Sequence, residues 1–192
     1  MGLKQTVAPT REPLDRADVK DHLRITHTDD DYYIERLITV ARQYVEEFTG
    51  RQLITATWKE TRECFPAWSW QLDRPDLIAV SSVVYAESSA GATTTMPSTD
   101  YQVSTNDHRG KVAPAYGASW PSARYQMDAV ALTYTSGYGS TPSTVPQAIK
   151  HAMLMMISHW YENRESALVS ISKELEFTTT ALLQPYVVGN YR

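Results

Sequence analysis

An α+β fold, built as a helical body with an inserted small antiparallel β-sheet or sandwich, follows from three features of the 192-residue chain. Apolar residues recur at helical spacing in two N-terminal segments and again in a long segment near the C-terminus. Between them the composition shifts to β-branched and aromatic residues punctuated by turn signals. The implied organisation is an extended arm over 1–13, a helical body from 14–50 and 145–192 that ends in a tail, and a β insertion over 51–144.

The arm, with Pro9 and Pro13 and no periodic apolar pattern, precedes the expected start of order at Leu14. In "LDRADVKDHLRI", Asp15 is placed to cap a short first helix, with Asp18 at its third position. Leu14 and Val19 occupy the two positions of a hydrophobic staple. A second helix is expected from about Asp29 to Thr49, with Ile34, Leu37, Ile38, Ala41, Val45 and Phe48 on one stripe. Thr28 is its candidate N-cap, Asp29, Asp30 and Asp31 suit the positive end of the helix dipole, and Gly50 follows the last turn.

Strands are expected in "LITATWKETRECF", "LIAVSSVVYAE", "DYQVST", "GKVAPAYG" and "AVALTYTSGYG". Alternation is clearest where Val130, Leu132 and Tyr134 interleave with Ala129, Ala131 and Thr133. "NDHRG" reads as a hairpin connection and "SSAGATTTMPST" as a flexible loop. Pro146 suits the first turn of the returning helix, "VPQAIKHAMLMMISHWYENRES". A last short helix should stop near Gln184, because Pro185 forces the preceding residue out of helical geometry.

On the long C-terminal helix, Ile149, Ala152, Met153, Met156 and Trp160 share one face, and Leu154, Ile157 and Tyr161 form a second apolar row. Burying each such side chain is worth about 1.5–3 kcal/mol, so the second row needs a cover. Two covers satisfy the pattern: the chain's own core, or a neighbouring subunit. A charge at Leu154 or Ile157 distinguishes them: the expected result is a folded monomer that fails to assemble, whereas global unfolding marks a core.

Composition removes several functions. The single cysteine, Cys64, permits no intrachain disulfide or multi-cysteine zinc site and fits a reducing setting. A net charge of -4 and a pI near 5.7 disfavour tight nucleic-acid binding, which draws on clustered Lys and Arg. The longest apolar run, Ala152 to Ile157, falls far short of the roughly 20 residues of a membrane span. The N-terminus carries neither a secretory signal nor a good myristoylation pattern.

No catalytic, cofactor or metal site emerges. His151 and His159 lie about two helical turns apart, too far to share a metal without a third ligand. His22, His27 and His108 fall in helix ends, loops or turns. Asp29 to Asp31 with Glu35 form the strongest acid–base candidate, yet the helix dipole already accounts for acidic residues in a first turn. Ser136 lacks the nucleophile-elbow pattern, Cys64 has no identifiable histidine partner, and "TSGYGSTP" lacks the Gly-Lys-Ser/Thr of a phosphate loop. The aromatic clusters "FPAWSW", "YGASWPSARY" and "SHWY" suit either a core or an adhesive protein surface.

Taken in order, "VKDHLRI", "DDDYYIERLITVARQYVEEFTGRQLITATW", "GKVAPAYGASWPSARY", "AVALTYTSGYG" and "VPQAIKHAMLMMISHWYENRES" resemble the head-tail connector (adaptor) proteins of tailed phages and gene transfer agents. The resemblance implies a structural subunit without catalytic residues. It implies a dodecameric ring between the portal protein and a stopper or tail-terminator protein, assembled in a bacterial cytoplasm and located in the virion at the head-tail interface. DNA would pass through the ring transiently and without specificity. The implied subunit interface includes Leu154, Ile157 and Tyr161, and the implied portal contact includes Leu182, Leu183, Tyr186 and Val187. The rival reading, a DNA-packaging component of the small-terminase type, calls for a basic helical DNA-binding region that the sequence does not contain.

Overall fold

A computed structural model describes residues 2–88, 92–107, 109–164 and 173–188, with side chains for all of these except 173–176. His108, part of the "SSAGATTTMPST" loop and the last four residues lie outside the described residues. The chain is α+β and divides into two compact units, one of residues 1–9 with 55–137 and one of residues 10–54 with 138–192.

Among the described residues the β unit contains eight strands: β1 (Gly2–Val7), β2 (Ala56–Arg62), β3 (Trp70–Gln71), β4 (Leu77–Ala86), β5 (Thr93–Thr95), β6 (Tyr101–Ser104), β7 (Lys111–Pro114) and β8 (Val130–Ser136). Five form one sheet in the order β1-β2-β8-β4-β5, three form a second in the order β3-β7-β6, and every pairing is antiparallel. Strand β8 is central in the first sheet, and its alternation holds through the strand: Val130, Leu132, Tyr134 and Ser136 are buried. These side chains share one core with Trp70 and Leu72 around β3, Val83 of β4 and Val112 of β7. Both sheets therefore contribute to a single apolar interior.

Three strands escape the sequence reading. Gly2–Val7, expected to belong to a free arm, pairs with β2 as an edge strand. Thr93–Thr95, inside the expected flexible loop, pairs with the end of β4. Trp70–Gln71 is too short to carry a periodic signal, yet its pairing with β7 sets Trp70 fully in the core. Strands β6 and β7 pair around the predicted "NDHRG" connection.

A buried carboxylate organises one end of this core. Glu60 has no exposed surface; its Oε1 accepts from Trp70 Nε1 at 2.7 Å and Arg62 Nη2 at 2.9 Å, and its Oε2 from the Asp73 backbone N–H at 3.3 Å. Burial pushes the Glu60 carboxyl above its usual range against the pull of these donors. Burial likewise raises the phenol of Tyr134, whose hydroxyl oxygen accepts from the Arg74 N–H at 3.2 Å.

The helical unit contains α1 (Arg16–Leu23), α2 (Asp31–Thr49), α3 (Gln147–Glu162) and α4 (Lys173–Leu183). Leu14 and Val19 are both buried at the start of α1, as a staple requires, but Asp15 makes no side-chain capping bond. Helix α2 starts two residues later than expected, with Asp30 at the N-cap position, and ends at Gly50, whose φ of 71° places it in the left-handed region that glycine tolerates. Helix α3 packs against α1, α2 and α4. Ile149, Ala152, Met153, Met156 and Ile157 join Ile34, Leu37, Ile38, Ala41 and Val45 in one core. Leu53 and Ile54, beyond α2, turn back into that core, and Leu183 of α4 completes it.

Arg42 and Glu46 lie on the buried stripe of α2 and are linked at 2.8 Å. Arg42 also binds Glu12 at 2.7 Å, while Glu46 Oε1 accepts from Gln52 Nε2 at 2.6 Å and from the Leu53 N–H at 3.1 Å. The network ties the segment before α1 and the turn after α2 to the middle of α2.

Close packing in the β unit provides a direct check. A Cβ added at Gly110 would stand 2.5 Å from Leu77 Cβ and 2.9 Å from its Cγ, too near for a side-chain tip to relieve. We expect Gly110→Ala to lower stability by about 1–3 kcal/mol in chemical denaturation, the usual cost of overpacking.

Candidate functional site

The residues that earlier suggested chemistry are engaged in holding helices together. Asp31 Oδ1 receives Lys20 Nζ at 2.7 Å, and Glu35 Oε1 receives Arg16 Nη1 at 2.9 Å. Asp30, just before α2, accepts the Tyr161 hydroxyl and binds Arg164 Nη2 at 2.9 Å. The Arg164 guanidinium also lies over the rings of Tyr33 and Tyr161, 4.7 and 4.8 Å from their centroids. The hydrogen bond from Tyr161, then that from Arg164, holds the Asp30 carboxyl below its usual range; the bond from Lys20 does the same for Asp31. A carboxylate held ionised in this way is a poor general acid.

Ser136 Oγ is buried and has no hydrogen-bond partner among the described residues, and Cys64 is exposed. His22 and His151 meet edge to face with ring centroids 6.4 Å apart. Among the described residues no group of three or more His, Cys, Asp or Glu is placed to hold a metal, and no helix is long and apolar enough to cross a membrane.

The expected subunit-interface row on α3 divides. Ile157 has no exposed surface and belongs to the helical core. Leu154 and Tyr161 are partly buried against that core, and the Tyr161 hydroxyl is committed to Asp30. Tyr161 lies against Asp30 and Tyr33 at the start of α2, Leu154 lines an open groove beside α1, and Ile157 joins the core to which α2, α3 and α4 all contribute. The expected portal-contact residues divide similarly. Leu183 is 1% exposed, Leu182 and Tyr186 are partly buried against the core, and Val187 is half-buried. The segment folds back onto its own unit: the Tyr186 carbonyl accepts from Arg51 Nε at 2.7 Å, and the Val188 N–H donates to the Thr49 carbonyl at 2.9 Å.

Exposed apolar surface lies elsewhere. On α2, Tyr32 is 72% exposed and Val40 and Tyr44 each 48%. With Arg36 they recur every four residues and so form one outward stripe. Tyr44 stacks on Phe48 and meets Trp160 edge-on, extending the stripe to the end of α3. The four-residue spacing was visible in "YYIERLITVARQYV", but the stronger inward stripe on the same helix masks it. On the β unit, Trp68 is 85% exposed, and Tyr116 is fully exposed beside it along a hollow of about 520 Å³ that Trp120 also lines. Trp68 and Trp70, two residues apart in "FPAWSW", thus have opposite fates, one on the surface and one in the core.

Three comparisons bear on this arrangement. A family model described as head completion protein matches residues 14–183. No curated protein matches. Among solved structures, the neck of an empty gene transfer agent (GTA) particle, computed with C6 symmetry, contains a chain 19% identical with a TM-score of 0.83. The alignment covers 100% of this chain and 98% of that one. The virion of a native GTA particle gives 20% identity and a TM-score of 0.81 at the same coverage. The neck of a native GTA particle, computed with C12 symmetry, gives 18% and 0.80, again at the same coverage. At these identities the likeness is one of fold.

Two outcomes are expected from the side-chain placements. Ile157→Asp should unfold the helical unit, at a cost above about 3 kcal/mol, because it buries an unpaired charge, whereas Leu154→Asp should stay folded; circular dichroism melts separate the two. The lowered carboxyls of Asp30 and Asp31 contribute stability that is present above their ordinary value of 3.8 and is lost as pH falls through their folded values. Stability should therefore drop as pH falls below that value, and Asp30→Asn with Asp31→Asn should flatten the acid limb of a pH-denaturation series.

Proposed function

The chain belongs to the head completion protein family, a family of structural virion proteins rather than enzymes, and on that premise we propose that it is a subunit of a ring in the neck of a tailed phage or gene transfer agent. The ring sits between the portal protein and a stopper or tail-terminator protein and continues the DNA channel. The observation that carries this reading is the correspondence of fold over the whole chain with proteins of GTA necks, one computed with twelve-fold symmetry. Closed rings use a heterologous interface, two different faces of one subunit, so a single self-complementary patch is not required.

The physical properties support the same role. A subunit of a passive channel needs assembly surfaces and no reactive centre, and of the candidate acids Asp30, Asp31 and Glu35 are tied in ion pairs. A net charge of -4 suits a conduit that must let DNA slide, since gripping phosphates takes clustered cations. The portal-facing surface is the C-terminal segment, with Phe177, 76% exposed on α4, as its free apolar anchor and Leu182, Tyr186 and Val187 beside it. Leu183 stays in the core of its own subunit.

Mixing the purified protein with the portal protein of the same particle and imaging the product by electron microscopy tests the proposal. A ring stacked coaxially on the portal is expected. A folded protein that leaves an intact portal bare excludes the role.

A further inference from the structure

The helical unit carries two unlike surfaces that complement each other. One is the convex α2 stripe of Tyr32, Arg36, Val40 and Tyr44, continued by the exposed Glu47. Arg36 forms no ion pair among the described residues; its guanidinium lies 5.8 Å from the centroid of the Tyr32 ring. The other is an open groove of about 500 Å³ between α1 and α3. Leu14 and Leu154 supply its apolar lining, Asp18 and Asp21 form an acidic α1 wall, and Lys150 and His151 stand on the α3 wall. Asp18 and Asp21 also form no ion pair among the described residues.

We infer that the α2 stripe of one subunit seats in the α1/α3 groove of the next copy of this chain, with Arg36 facing Asp18 and Asp21. The inference rests on the ring reading above and identifies the two faces that close the ring. Charge complementarity selects the occupant. The stripe offers a cation embedded in aromatic surface, and the groove offers two unpaired carboxylates beside apolar side chains. Having both faces on one unit is what a head-to-tail closed ring requires. Leu154 then has a part in the interface as a lining residue of the groove, while Ile157 beneath it remains core.

A charge swap in assembled particles tests the pairing. Arg36, Asp18 and Asp21 are all exposed, so their variants should melt as the natural protein does. Particles made with Arg36→Glu should retain about tenfold less of the protein in their necks, read by quantitative mass spectrometry and particle imaging. Combining Arg36→Glu with Asp18→Arg and Asp21→Arg should restore it. Undiminished incorporation of Arg36→Glu overturns the inference, and so does a loss that the triple variant fails to rescue, which would assign the stripe to a different partner. If natural particles contain no ring of this chain at all, the ring reading itself falls, and that outcome is recognised from the unmutated particles alone.

Discussion

Helix α3 carries apolar side chains around most of its circumference, and the helical unit is arranged to keep them from water. No single neighbour covers so wide a surface. Helices α1, α2 and α4 all pack against α3, and Leu183 of α4 reaches the same core as Ile149, Met153 and Met156. With about 1.5–3 kcal/mol at stake for each large side chain, the placement of α4 follows from the composition of α3. The C-terminal segment is consequently part of the subunit's own fold as far as Val188.

Apolar burial alone leaves helices free to slide, and two polar clusters restrict them. Asp30, Tyr161 and Arg164 join the start of α2 to the end of α3. Arg42, Glu46, Gln52 and Glu12 fix the segments that enter and leave α2. Burial works against the Arg42 guanidinium, but its bonds to Glu12 and the charges of both glutamates outweigh that penalty and raise its pKa. Such pairs add little net stability over apolar packing, but removing one partner strands the other, so they penalise every alternative register. Glu60 plays the same part in the β unit, where Trp70, Arg62 and the Asp73 backbone converge on one buried carboxylate.

Surfaces for assembly are left where these internal demands end. On α2 the inward stripe is saturated, and Tyr32, Val40 and Tyr44 remain outside. On the β unit, Trp68 lies outside the strands and stays exposed, while Trp70, paired within β3, enters the core. Exposed aromatic residues of this kind combine large contact area with few rotatable bonds, properties that favour protein interfaces. A structural component of a particle needs such surfaces more than it needs a pocket.

Local pattern determined much of this protein. The inward stripe of α2, the staple at Leu14 and Val19, the glycine stop at Gly50 and the alternation of β8 were legible because each depends on spacing within one element. The acidic run at Asp29 to Asp31 likewise had a helix-dipole explanation from position alone. Tertiary structure decided the rest. Gly2–Val7 and Thr93–Thr95 became strands only because β2 and β4 offered open edges, a fact that no local periodicity encodes. The sequence posed core or neighbour as the two covers for Leu154, Ile157 and Tyr161. The fold buried Ile157 completely and left Leu154 and Tyr161 partly covered, because an apolar face records a need for burial and not the identity of what buries it.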